Sequence, residues 1–290
     1  MAKLGRMQLN KVLLAVLAHP DDETFGMGGT LAMYARQGVD VHLICATRGE
    51  VGEMEERYME GFDTPAARRE HELRCAAGTL GLKSVIFLDY RDSGMPGAPD
   101  NEHPQALFAQ PVEQVAGDVA KIIRELKAQV VITFDEIGGY RHPDHIAMHN
   151  ATVKAFEKAG DDSFVTPDFE PHQPQKLYFH TMPHNMLRMA VKLMPLMGQN
   201  PRQMGKNKDI DLVSITEVRF PVHARIDYRP VAKTRDEASA CHESQGGSGM
   251  LKGPLAVLRR TLASYETFMR AYPPVMPGER IEHDLFVGVK

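Results

Sequence analysis

Apolar and polar positions change places in blocks along the first 180 residues. Five short apolar runs have the length of strands: 11–18 "KVLLAVLA", 39–47 "VDVHLICAT", 84–90 "SVIFLDY", 130–136 "VVITFDE" and 176–181 "KLYFHT". Between them, at about 27–37, 65–80, 111–128 and 143–159, the pattern changes to helical spacing. The segment 65–80 opens on Pro65 and stops before Gly81, as a helix with a defined start and end does. Strands alternating with helices predict an α/β fold with a mostly parallel sheet and helices on both faces. Right-handed crossovers make that sheet doubly wound and Rossmann-like.

Beyond about residue 182 the rhythm fails. "MPHNMLRMAVKLMPLMGQNPRQMGKN" gathers methionines among prolines and basic residues. It reads as a helical insertion that packs its methionines on the body, with a mobile apolar lid over a pocket as the alternative for 183–210. A strand is expected within 215–226 "ITEVRFPVHARI" and a helix from about 230. The chain is then one domain, 1–290. Residues 1–182 form the α/β core, and 183–290 form a C-terminal portion walling one side of the site.

Composition narrows the function. A hydrophobic fraction of 43% and a charged fraction of 25% are ordinary for a globular protein. A net charge of −4 argues against nucleic acid, which calls for a basic stripe. No apolar run approaches the roughly 20 residues that span a bilayer. The basic start "MAKLGRMQLNK" leads through a short apolar run into charge, so no signal peptide is expected and the cytoplasm is the default location. Cys45, Cys75 and Cys241 are odd in number and widely spaced, and each is expected to be a buried thiol.

The first strand ends abruptly in His19, Pro20, Asp21, Asp22 and Glu23. Ligands of open α/β sheets sit at the carboxyl ends of strands. A helix N-cap accounts for one or two of these carboxylates. It leaves His19 unexplained, and adjacent aspartates repel unless a cation or strong donors stand nearby, so on this cluster alone metal binding only slightly outweighs a cap. A second cluster moves the balance. "VVITFDE" runs into "IGGYRHPDHIAMHNATVKAFEKAG", where Pro143 suits a first helical position. His142 is then at the cap and His145 one turn inside, on one face. Histidine with carboxylate is a zinc ligand set, and a catalytic zinc keeps three protein ligands. His19, Asp22 and His145 make such a triad, with Asp21 left as a base. "GMGGTL" (26–31) fails the GxGxxG spacing, so close packing rather than a dinucleotide explains its glycines.

These clusters resemble the PIG-L/LmbE-like de-N-acetylase family, which includes deacetylases of mycothiol and bacillithiol biosynthesis and mycothiol S-conjugate amidases. The matching words are "AHPDDE" (18–23) and "GGYRHPDH" (138–145), supported by "TRGEVG" (47–52), Arg69 to Leu73, "RDSGM" (91–95) and "CHESQ" (241–245). The resemblance implies one zinc per chain on His19, Asp22 and His145, with ferrous iron as the alternative metal, and Asp21 as general base. It implies that His142 stabilises the oxyanion or protonates the leaving amine, that Asp144 orients a histidine, and that Tyr140 is mobile near the substrate carbonyl. Arg69 and Asp92, with Glu50 as a further candidate, match positions that grip polar substrate groups. Arg141 departs from the pattern, since glycine is common there, and bears on substrate preference.

The implied activity is hydrolysis of a linear amide, removing an N-acetyl or other acyl group from a small amino-sugar-type substrate or conjugate. The alternatives are an amidase of thiol S-conjugates, an amidase of a non-sugar amide, or a non-catalytic Rossmann-like binding module. Neither membrane nor nucleic acid is an expected partner, and a homo-oligomer is compatible with the sequence. Glu23 is expected to cap or support the site, Glu72 to hold Arg69, His149 to be packed or solvated, and His242 to end a helix, with a pocket-facing position as the alternative.

Overall fold

A computed structural model describes residues 10–52, 54–181, 184–204, 211–247 and 264–290. β1 (Val12–Leu17) is buried along its whole length, as a strand covered on both faces must be. It leads into α1 (Asp22–Arg36), β2 (Asp40–Cys45), α2 (Pro65–Leu80) and β3 (Ser84–Phe87). α3 (Val112–Leu126), β4 (Val130–Phe134), α4 (Gly138–Arg141), α5 (Pro143–Gly160) and β5 (Lys176–Thr181) follow. The last described elements are α6 (His184–Leu193), α7 (Leu212–Glu217), β6 (Ala224–Asp227), α8 (Ala232–Cys241) and β7 (Tyr265–Tyr272).

The strands form one sheet in the order β3-β2-β1-β4-β5-β7-β6. β1 to β5 are mutually parallel, β7 runs antiparallel to β5, and β6 antiparallel to β7. The chain builds outward from β1 to β3, then returns to β4 on the other side of β1. The two connections leave that junction in opposite directions and open a crevice beyond the carboxyl ends of β1 and β4. These strands pair with Leu13 opposite Val130 and Ala15 opposite Ile132. The loops after them carry the two histidine–aspartate clusters, 120 residues apart in sequence and adjacent in space.

Local chemistry explains the helix boundaries. Thr64 caps α2 by accepting the Ala67 N–H at 3.2 Å, Pro65 fills the first position, and Gly81 ends the helix at φ +80°. α3 buries Val115, Val119, Ile122 and Ile123 on one stripe against the sheet.

Three expectations need correction. The 215–226 segment is not one strand. Asp211 accepts the Val213 and Ser214 N–H groups at 2.9 and 3.2 Å and starts α7, and the strand begins only at Ala224. α1 starts at Asp22 rather than 27, with a kink at Met27 (φ −137°), and its glycines pack closely: a Cβ on Gly29 would meet the Tyr228 ring at 2.2 Å. Cys75 and Cys241 are not thiols. α2 and α8 pack side by side, and the two cysteines form a disulfide with Cα atoms 5.8 Å apart. Only Cys45 is free, and burial pushes its pKa up.

β7, which no sequence pattern was taken to predict, completes the sheet. In the methionine-rich segment the helical expectation holds for α6. Met194 is buried, but Met189 and Met197 are exposed. Residues 182–183 and 205–210 of that segment lie outside the described residues.

Candidate metal centre

His19 follows β1 directly and is buried in the crevice. Its Nδ1 lies 3.2 Å from His145 Nε2 and 3.6 Å from Asp22 Oδ2, and His145 Nε2 lies 3.2 Å from Asp22 Oδ1. Tetrahedral coordination with bonds of about 2.0–2.2 Å spaces neighbouring donors about 3.3–3.6 Å apart. These separations fall near that spacing, with the two imidazoles meeting different oxygens of the Asp22 carboxylate. The three side chains are also pre-aimed. His145 Nδ1 pairs with the Gly138 carbonyl at 3.1 Å and its ring stacks on Phe134, leaving Nε2 toward the cluster. Asp22 Oδ2 accepts the His19 N–H at 2.8 Å.

Carboxylates set the charge of the site. Burial disfavours a charged imidazole, yet Asp92, Asp144 and Asp22 outweigh it and hold the His19 pKa well above its ordinary value. Burial alone would raise Asp22, but His145 and His19 hold it well below the usual carboxylate range. A cluster that holds a proton this firmly is one that attracts a cation. Among the described residues two groupings, His19 with His142 and His145, and His19 with Asp92 and Asp144, bring donor atoms within 4.8 Å. Their other groups have partners. His142 Nδ1 accepts the Asp144 N–H at 3.2 Å, and Asp92 Oδ1 accepts the Gly94 N–H at 2.8 Å. Asp144 Oδ2 accepts the Ser93 N–H at 2.9 Å and lies 3.0 Å from His19 Nε2, while Ser93 Oγ donates to Oδ1. The histidines and carboxylates gathered in this crevice are able to hold a metal ion.

Asp21 occupies the N-cap position of α1 without capping it. Its carboxylate instead takes a bond from Arg69 Nη2 at 3.1 Å, and its N–H donates to Glu23 Oε2 at 3.0 Å. Burial, joined by Asp22, raises its pKa to about 6 against the pull of Arg69, His242 and His19. The same Arg69 also binds the carbonyls of Pro20 and Gly49, at 2.8 and 3.1 Å. A Cβ on Gly49 or Gly52 would strike its guanidinium, which explains the glycines of "TRGEVG". Burial, with the charges on His19 and His145, drives the His142 pKa down to about 2, so that ring is neutral. Tyr140 stands edge-on to His145 with ring centroids 5.0 Å apart, and burial raises its pKa.

The remaining sequence candidates are more scattered. Asp92 lies 3.5 Å from His19 Nε2, on the Asp144 side of that ring. Half-buried Glu50 accepts the Arg48 N–H at 3.1 Å. Glu72 does not hold Arg69. It pairs with Arg68 at 3.0 Å and takes both the N–H and hydroxyl of Ser244. Arg141 is exposed at φ +69°, and its guanidinium reaches the Ser214 carbonyl at 3.4 Å. That left-handed backbone suits glycine, which gives Arg141 a strained position. His149 is packed, with Nδ1 2.9 Å from the Phe134 carbonyl. Sequence reasoning missed Ser93 as the partner of Asp144, and His180, whose half-buried ring faces Gly26 with a pKa lowered to about 4 by desolvation. The word "RDSGM" held the signal for Ser93; His180 carried none.

The GlcNAc-PI de-N-acetylase (PIG-L) family matches residues 14–156, which contain both clusters. A 1D-myo-inositol 2-acetamido-2-deoxy-alpha-D-glucopyranoside deacetylase of Geodermatophilus obscurus is 33% identical, covering 98% of this chain and 99% of that protein. The chain belongs to the PIG-L family. Solved structures share its architecture. The N,N'-diacetylchitobiose deacetylase of Pyrococcus horikoshii is 19% identical with a TM-score of 0.60, over 90% of this chain and 83% of that one. The 4-carboxy-2-hydroxymuconate hydratase GalB of Pseudomonas putida is 20% identical, also at 0.60, over 93% and 100%. A deacetylase and a hydratase on one scaffold show that the PIG-L fold alone does not choose the reaction. The site has to.

Proposed function

We propose that this PIG-L protein is a zinc-dependent hydrolase that removes the N-acetyl group from an amino-sugar substrate. The observation that supports it most is the convergence of His19, Asp22 and His145, with the Asp21 carboxylate, held by Arg69, beside them. Zinc bound there would polarise the amide carbonyl and make water more acidic. The protein's own groups supply the rest. Asp21 takes a proton from the attacking water, a contribution of about 10²–10⁴ in rate. His142 is neutral, and with Nδ1 occupied its Nε2 carries the proton. That N–H donates a hydrogen bond to the oxyanion as it forms, and the proton that Asp21 took from water passes to the departing nitrogen. Asp144 and Asp92 hold the His19 ring from the other side. Tyr140 lies edge-on against the rings of His142 and His145. The C–N bond breaks, and acetate and a free amine result.

The name of the curated relative makes N-acetylglucosamine linked to inositol the first substrate to try. Free-amine release is measured for that compound, simple N-acetylglucosamine glycosides and thiol S-conjugates, before and after chelation. Turnover of an N-acetyl sugar by protein carrying about one zinc per chain, lost on chelation and restored by zinc, is expected. Turnover that survives complete metal removal overturns the proposal. Preference for S-conjugates moves the assignment to the amidases.

A further inference from the structure

We propose that His242 is a positioning residue for Asp21, acting through the carboxylate of Glu23; this rests on reading Asp21 as the base. Asp21 sits at φ +121° and ψ −27°, a backbone conformation that L residues rarely adopt and that persists only where the surroundings hold it. The helix behind it holds only the Asp21 carbonyl, which accepts the Thr24 and Phe25 N–H groups at 3.1 and 2.9 Å; the Asp21 side chain makes no cap bond. Arg69 holds the carboxylate, and Glu23 Oε2 holds the backbone N–H at 3.0 Å.

Glu23 must therefore be held in turn. It is fully buried, and a buried carboxylate needs charge-assisted donors. Its Oε1 accepts from Thr24 Oγ and lies 2.7 Å from Nε2 of His242, which comes from 219 residues further along the chain and is also fully buried. His242 Nδ1 has no hydrogen-bond partner among the described residues, so the hydrogen bond of the ring goes to Glu23, while its edge packs against Phe25. The segment that delivers it is clasped on three sides. Cys241 is bonded to Cys75, Ser244 to Glu72 through N–H and hydroxyl at 2.9 and 2.6 Å, and the Gly247 N–H to the His242 carbonyl at 2.9 Å. The "CHESQ" word is thus the far end of a relay that runs from His242 to Glu23 to the Asp21 N–H.

The experiment compares wild type with His242→Ala, with His242→Asn (too short to reach Glu23), with His242→Gln (which keeps a donor), and with Ser244→Ala (which loosens the same segment without touching Glu23). Three quantities are read: bound metal, kcat and KM for the N-acetyl sugar that wild type hydrolyses, and the Asp21 amide proton shift by NMR. The breaking variants should keep their metal, lose about tenfold or more in kcat with KM within about threefold, and move the amide proton upfield. His242→Gln should restore the shift and most of kcat, and Ser244→Ala should stay within about twofold of wild type. An unmoved Asp21 amide in a folded breaking variant overturns the proposal, as does a kcat loss that Ser244→Ala equals. If wild type hydrolyses no N-acetyl sugar, the hydrolase reading fails separately, and the amide shift still decides the relay.

Discussion

At the scale of single residues, Asp21 bears the largest demand. It lies beside a second aspartate in a buried crevice, on a backbone conformation that costs of order 1–3 kcal/mol. Such a cost is tolerated where the residue does chemistry. Asp21→Asn should keep the metal and lose at least about 10²-fold in kcat, since the amide cannot take a proton; metal analysis alongside steady-state kinetics checks it. The base must be ionised to act, so kcat/KM should fall as pH drops through about 6, the Asp21 value, or lower once a cation adds to the positive field. Arg69 is a positive neighbour that pulls this pKa down. Arg69→Met should therefore shift the acid limb of the pH–rate profile to higher pH. A limb that stays or moves down would contradict the Asp21–Arg69 assignment.

At the scale of elements, α1 shows how glycine decides packing. Gly29 lies against the Tyr228 ring, and the N–H groups of Gly29 and Thr30 both donate to Glu266 of β7, at 3.0 and 2.7 Å. The helix is drawn onto the C-terminal strand at a distance that leaves no room for a methyl group. Gly29→Ala should destabilise by about 1–3 kcal/mol despite alanine's better helix propensity. Urea unfolding monitored by circular dichroism measures this, and an unchanged midpoint would show that Tyr228 gives way. At α4 the conflict is of the opposite kind. Arg141 keeps a bulky side chain at a positive φ that a glycine would adopt without strain, and spends it on the Ser214 carbonyl of α7.

At the scale of the whole molecule, the carboxyl ends of β1 and β4 and the segment after α8 meet at one crevice. The Cys75–Cys241 disulfide closes a separation of 166 residues around that crevice. Cys75→Ser should lower the unfolding free energy by about 2–4 kcal/mol relative to the oxidised protein. Reductant should lower the melting temperature of wild type and leave that of the variant unchanged. Equal melting temperatures with and without reductant in wild type would mean that the bridge does not form in solution.

The sequence determined the elements and much of the chemistry. The five apolar runs became β1 to β5; central β1 and β4 are buried throughout and apolar because both faces are covered, while β3, at the sheet edge, is half-buried. The two words built on "HPD" were legible because their residue types are costly to bury without a cation or strong donors. The tertiary structure decided what depends on separation in space. It joined Cys75 to Cys241, gave Glu72 to Arg68 and Ser244 rather than Arg69, and placed His242 on Glu23. Local pattern encodes which face of an element is buried. Which distant group meets it depends on the crossing of helices and the order of strands, and those are properties of the whole chain.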